Sequence, residues 1–253
     1  MDIPRSIVIR ESGSRILNPI DEHKQRALGH SLHLPAGSTV LDLACGKGEL
    51  LCTWARDLGF AGTGVDLSSA FIQDARNRAE QLAVGKQLRF VHDDATGWVA
   101  DHPVDVAACL GGSWIGGEKW HGRVEGTLAL LERSIRPGGL LLLGEPFWRH
   151  QPTDQDTVEG CYAQSVDDFV SLTGLTDRFD ALGYDLVETV FADPDSWDRY
   201  AAPQWLATRR WLDTHPDDEL AAEMRADLRR SPQRHLRYQR EYLGWGVFVL
   251  IRR

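Results

Sequence analysis

Hydrophobic residues along the chain fall into short continuous runs that alternate with stretches of helical period. Val40–Leu43, Gly62–Val65, Leu88–His92, Val104–Leu110, Leu140–Gly144, Tyr184–Phe191 and Gly246–Ile251 read as strands, most of them apolar enough to be covered on both faces. Between them, Glu49–Leu58 reads as a first crossover helix. Ser68 then caps a second, with Phe71, Ile72, Ala75, Ala79 and Leu82 on one face. Glu118–Ile135 carries Val124, Leu128, Leu131 and Ile135 at the same period, and Asp177–Leu182 reads as a short helix. Strands alternating with helices predict an α/β fold, a doubly wound and mainly parallel sheet of seven strands.

Three stretches stand outside this alternation. Pro19, followed by Asp21 and Glu22, opens a helix whose Ala27, Leu28 and Leu32 can face inward before Pro35-Ala36-Gly37 ends it, so residues 1–36 read as an N-terminal cap. Residues 37–253 read as the main domain, with insertions at about 147–175 and 192–241 that suit a helical lid. In the second insertion Pro216, Asp217, Asp218 and Glu219 start a helix with Leu220, Met224 and Leu228 as its buried stripe. Six aromatic residues, Trp148, Tyr162, Trp197, Tyr200, Trp205 and Trp211, lie in these insertions and can wall a pocket or form the core of a cap.

A length of 253 residues suits one α/β domain with embellishments. No run reaches the roughly 18 apolar residues of a membrane helix, and the segment with Asp2, Arg5 and Arg10 lacks a signal-peptide pattern, so a cytoplasmic protein without membrane contact is expected. The formal net charge of −9 disfavours a nucleic-acid partner, since phosphate binding rests on clustered Lys and Arg. The basic stretch Arg225–Arg240 is interleaved with acids and reads as a solvated face. Cys45, Cys52, Cys109 and Cys161 show no metal-ligand spacing and are expected to be free thiols.

The chemistry concentrates where the first strand runs into Asp42-Leu43-Ala44-Cys45-Gly46-Lys47-Gly48. A dinucleotide fingerprint would need glycine at 51, which is leucine, and a phosphate loop would need Ser or Thr after Lys47, where Gly48 stands. What remains is an acid, a Gly-x-Gly turn, and Asp66 at the end of the second strand, twenty residues after Gly46, the offset at which an acid meets ribose hydroxyls. A nucleoside without pyrophosphate fits.

On these residues the chain resembles the class I S-adenosylmethionine (SAM)-dependent methyltransferases, with Ala44 in place of the first glycine of the family's acid-x-Gly-x-Gly-x-Gly pattern. The resemblance is close over 37–146 and holds in pattern over 176–191 and 242–253; Arg136-Pro137-Gly138-Gly139 before the fifth strand belongs to it. The flanking segments look like those of a bacterial subgroup of uncharacterised members. It implies a Rossmann-like sheet with six parallel strands and an antiparallel last one, SAM as cofactor, and an N-terminal helix closing over it. It also implies a cofactor set of Asn18, Asp42, Ala44, Gly46, Gly48, Asp66, Leu67, Leu110 and Gly111, with adenine held by Asp94 and Ala95 or, as the near alternative, Asp93. The fourth strand's end, where Trp114 stands among four glycines, would neighbour the methyl acceptor, a small molecule methylated on nitrogen or oxygen. Trp114, Phe147, Trp148, Trp197 and Tyr200 are the candidate acceptor-binding residues. Glu145, His150 and Tyr162 are candidate bases by position and type, although alignment alone can suffice. No metal is expected, and a homodimer is allowed. A non-catalytic SAM-binding regulator and a methyltransferase of RNA or protein are the rival classes.

Overall fold

The computed structural model describes residues 2–117 and 123–253, apart from the Arg123 side chain. Strands β1 (Thr39–Leu43), β2 (Ala61–Asp66), β3 (Leu88–His92), β4 (Val104–Leu110), β5 (Ile135–Trp148), β6 (Tyr184–Phe191) and β7 (Leu243–Arg252) form one sheet in the order β3-β2-β1-β4-β5-β7-β6. The pairs among β1 to β5 are parallel, and β7 runs antiparallel to both its neighbours. The order reverses between β1 and β4, so the carboxyl ends of those two strands open a crevice, the place where sheets of this kind bind ligands.

Period-two alternation along β1 sends Val40 to one face and Leu41 and Leu43 to the other, and each face has its own core. On the first face, α2 (Glu22–Ser31), α3 (Glu49–Leu58) and α4 (Ser69–Gln81) bury Leu28, Trp54 and Ile72. On the second, α5 (Arg123–Glu132) and α7 (Leu172–Ala181) bury Leu128, Leu131 and Phe179. Local chemistry sets the helix ends. Asp21 accepts from the Lys24 N–H at 2.7 Å, Ser68 from that of Phe71 at 3.3 Å, and Gly59 closes α3 in the left-handed region.

Over the crevice lies a cap made of α1 (Arg5–Glu11), α8 (Pro194–Thr214) and α9 (Ala221–Arg234), which share a small core of Ile9, Leu212, Ala221 and Met224. Arg5 reaches Asp218 with two hydrogen bonds of 2.8 and 3.1 Å, tying the N-terminal segment to the second insertion. The smaller α6 (Gln155–Gly160) lies in the first insertion.

Several boundaries differ from expectation. The start of the Glu118 helix falls outside the described residues. α7 begins at Leu172 rather than Asp177, because Ser171 caps it by accepting from the Gly174 N–H at 3.0 Å. α9 starts at Ala221 rather than Pro216, since Asp218 instead accepts from the Leu220 N–H in a turn. Ala27 is exposed, and Gln25 takes its place against the core.

Candidate functional site

The crevice holds a cavity of about 560 Å³ floored by the ends of β1, β2 and β4. The chain leaves β1 through Ala44 and Gly46, both in the left-handed region with φ of 58° and 53°. That conformation turns the Gly46 N–H onto the Asp66 carboxylate, 2.7 Å from Oδ2, while the Ser68 N–H donates to Oδ1 at 2.8 Å. Burial raises the Asp66 carboxyl above the ordinary carboxylate range, opposed by these two N–H groups. Asp42, 3% exposed, has no hydrogen-bond partner at Oδ1 among the described residues. Burial, with the Asp66 charge as a smaller contribution, pushes its pKa up to about 8.

Asn18, Asp42, Ala44, Gly46, Asp66, Leu67, Asp94, Ala95, Leu110 and Gly111 all line this cavity. The Asn18 amide donates to the Leu110 carbonyl at 3.4 Å. Two of the expected cofactor residues lie elsewhere. Asp93 is exposed off the cavity, with Oδ1 accepting from the Asp94 N–H. Gly48 caps α3 from behind: a Cβ there would fall 2.5 Å from the Phe90 ring, so its glycine serves packing rather than ligand approach.

These residues fit the cofactor the resemblance implies. Each Asp66 oxygen accepts one backbone N–H and keeps acceptor capacity for a ribose hydroxyl. The orphaned Asp42 Oδ1 offers a buried acceptor beside the glycine turn.

A second cavity, of about 470 Å³, opens between the sheet and the cap. Trp114, Phe169, Trp197, Tyr200, Trp205 and Trp245 give it aromatic walls, and Glu145 and His235 stand among them. The two cavities meet at a neck whose shared lining includes Arg10, Glu11, Trp114 and Tyr200.

Of the candidate bases, Glu145 is buried in the wall of this chamber, within β5 and three residues before its end. Tyr162 lines it from an exposed turn with φ of 61°, its ring under the Arg234 guanidinium at 4.8 Å. His150 does not reach either cavity; it lies on the surface, 3.6 Å from Glu241 and edge-on to Tyr242. Phe147 and Trp148 also miss the chamber. β5 runs through to 148, paired with Gly244 and Leu243 of β7, so both side chains enter the cores. Phe147 packs edge-on to Phe191, and the Trp148 indole donates to the Val166 carbonyl at 2.7 Å.

Sequence reasoning missed two groups. Glu11, 8% exposed in the neck, ends a helix that the hydrophobic pattern does not signal. His235 is buried in the chamber wall at a π-helical turn, with Nε2 2.7 Å from Asp198 and Nδ1 without a partner among the described residues. The spacing of Asp198 and His235 in the second insertion carries no recognisable motif.

Comparison with known proteins agrees with this geometry. Residues 40–139 match the family described as methyltransferase domain. The chain is 50% identical over its whole length to the uncharacterized protein YjhP of Escherichia coli strain K12, covering all of that protein. It is 53% identical, with a TM-score of 0.96, to the SAM-dependent methyltransferase of Geobacter sulfurreducens, solved in complex with S-adenosyl-L-homocysteine (SAH), covering 100% of this chain and 99% of that one. The corresponding protein of Thiobacillus denitrificans, also solved with SAH, gives 53% identity and a TM-score of 0.96 with both chains fully covered.

Proposed function

The chain belongs to the class I SAM-dependent methyltransferases, and from that premise we propose that it transfers a methyl group to a nitrogen or oxygen of a small molecule held in the aromatic chamber. The observation that carries this reading is the neck, where a cofactor-sized cavity and an aromatic-walled one share their lining. Bound SAM supplies an activated methyl group on a positively charged sulfur.

In this reading Asp66 accepts the ribose hydroxyls, Asp42 with Ala44 and Gly46 receives the methionine part, and Asp94 and Ala95 take the adenine edge. Asn18, Leu67, Leu110 and Gly111 complete the cavity wall. Trp114, Trp197 and Tyr200 hold the acceptor's flat or cationic face, and the cap excludes water. Holding the acceptor in line is the main catalytic contribution, worth up to roughly 7–11 kcal/mol for a well-aligned pair. Glu145 is positioned to take the proton from an acceptor that must lose one. No helix of the described residues is long and apolar enough to cross a membrane.

The test is a screen for SAH release with panels of small amines, phenols and carboxylic acids. At least one class should release SAH above the acceptor-free background. A folded, SAM-binding protein that turns over none of them but methylates RNA or protein would refute the small-molecule assignment.

A further inference from the structure

Methyl transfer has to take place where the two cavities meet, because the donor occupies one and the acceptor the other. Among the described residues, the ionisable groups that line both cavities are Arg10, Glu11 and Tyr200. Arg10 lies 3.7 Å from Asp227 of α9. Tyr200 donates its hydroxyl to Glu11 Oε1 at 3.4 Å, and burial with the adjacent Glu11 holds the phenol far above its ordinary range.

Another cation close to Glu11 is Lys47 of the glycine turn. Its ammonium donates to the Glu11 backbone carbonyl at 2.9 Å and lies 3.2 Å from Asp74, so it serves the main chain and another carboxylate. Among the described residues no cation pairs with the Glu11 carboxylate, and its Oε2 has no hydrogen-bond partner. A carboxylate left in this state inside a protein is costly unless a positive charge arrives with a ligand.

We propose that Glu11 is the counter-charge of the donor's sulfonium, ionised when SAM is bound and protonated when the sulfur is neutral. The proposal rests on the methyltransferase reading and assigns Glu11 a role in distinguishing substrate from product. In a turnover the bond from methyl to sulfur breaks with its electron pair remaining on sulfur, a bond from methyl to the acceptor atom forms, and the acceptor's proton is lost. The acceptor's proton leaves through Glu145 to solvent and Glu11 takes one proton from solvent as the sulfur loses its charge, so the net charge at the neck is the same before and after transfer. Loss of that proton once the product has left restores a carboxylate that favours the cationic donor over SAH.

Burial pushes the Glu11 carboxyl up to about 7, although Arg10, the Tyr200 hydroxyl and Lys47 each draw it down. Glu11 is therefore partly protonated at neutral pH before any ligand binds. SAM and SAH share the ribose, adenine and amino-acid parts that meet Asp42, Asp66 and Asp94. The difference between the two ligands therefore isolates the charge on sulfur.

The experiment is calorimetric titration of the full chain with SAM and with SAH from pH 6 to pH 8, in phosphate and in Tris, whose unlike ionisation heats report proton exchange. SAM affinity should rise relative to that of SAH by about tenfold across this range, with proton release on SAM binding near pH 7 exceeding that for SAH. Glu11→Gln should remove both differences. Equal pH slopes for the two ligands, or a difference that survives in Glu11→Gln, would overturn the role of Glu11 and leave the cofactor site standing. Failure of either ligand to bind the folded wild-type chain would overturn the cofactor reading as well. Should Glu11→Gln lose both ligands, Tyr200→Phe decides. Removing the hydroxyl should move the midpoint of the SAM-specific pH dependence upward, and an unmoved midpoint contradicts the proposal.

Discussion

Replacing Asp42 with Asn tests the electrostatic heart of the cofactor cavity without any ligand. The Asp42 carboxyl is almost wholly buried, lacks a partner at Oδ1 among the described residues and has its pKa raised from 3.8 to about 8 in the folded chain. Unfolding returns it to water, where it ionises near its ordinary value. Its contribution to stability is therefore complete below pH 3.8, declines as the unfolded state gains charge, and is lost as pH rises through 8. A shift of about 4 units at 1.36 kcal/mol each gives a loss of at most about 5–6 kcal/mol between those limits, with the steepest usable part between pH 5 and 8. That is a large fraction of the roughly 5–15 kcal/mol that holds a domain folded. Asn carries no ionisable group, so urea unfolding of Asp42→Asn should show a shallower pH dependence than wild type, with the variant gaining relative stability by several kcal/mol from pH 5 to pH 8. The enclosed carboxyl justifies using the shift without discount for solvent screening. Parallel pH curves for the two proteins would refute the reasoning, and would mean that Asp42 is ionised and compensated at neutral pH.

Asp66→Ala should weaken SAH binding by about 1–3 kcal/mol, measured calorimetrically on folded protein, because an acceptor of ribose hydroxyls and the anchor of the Gly46 N–H both disappear. Gly48→Ala should destabilise the chain by about 2–4 kcal/mol, from the left-handed strain at φ 66° and a Cβ 2.5 Å from Phe90, while SAH affinity of the folded fraction stays near wild type; thermal unfolding and titration together check this. His150→Ala should leave SAH release and unfolding temperature unchanged, since the exposed His150–Glu241 pair contributes less than about 1 kcal/mol.

Much of the sheet was legible: β1 and β4, buried on both faces, write themselves as apolar runs, and the half-exposed edge strands β3 and β6 show in their β-branched and aromatic residues. Leu88–His92, Val104–Leu110 and Tyr184–Phe191 have the expected ends, as does α3. The glycine turn was legible because left-handed backbone calls for Gly at 46, and Asp66 because its offset from that turn is fixed by one crossover helix. Gly48 shows where a motif is ambiguous. The same residue type serves ligand approach or packing, and only the Phe90 ring behind it decides.

The acceptor side was harder to read. Trp148 and Trp197 look alike in sequence, yet one is locked into the core by the extended pairing of β5 with β7, and the other faces the chamber. Glu11, Asp198 and His235 gain their chemistry from contacts spanning 37 to 189 residues, such as Tyr200 to Glu11 and His235 to Asp198, which no local pattern encodes.

The position of the reacting sulfur decides the proposed path of the methyl group, and a crystal structure of this chain with SAH would show it. The expected structure has ribose hydroxyls on Asp66 and the thioether sulfur at the neck between Glu11, Trp114 and Tyr200, facing the aromatic chamber. A sulfur turned away from that chamber, or walled off from it, would contradict the proposed path of the methyl group.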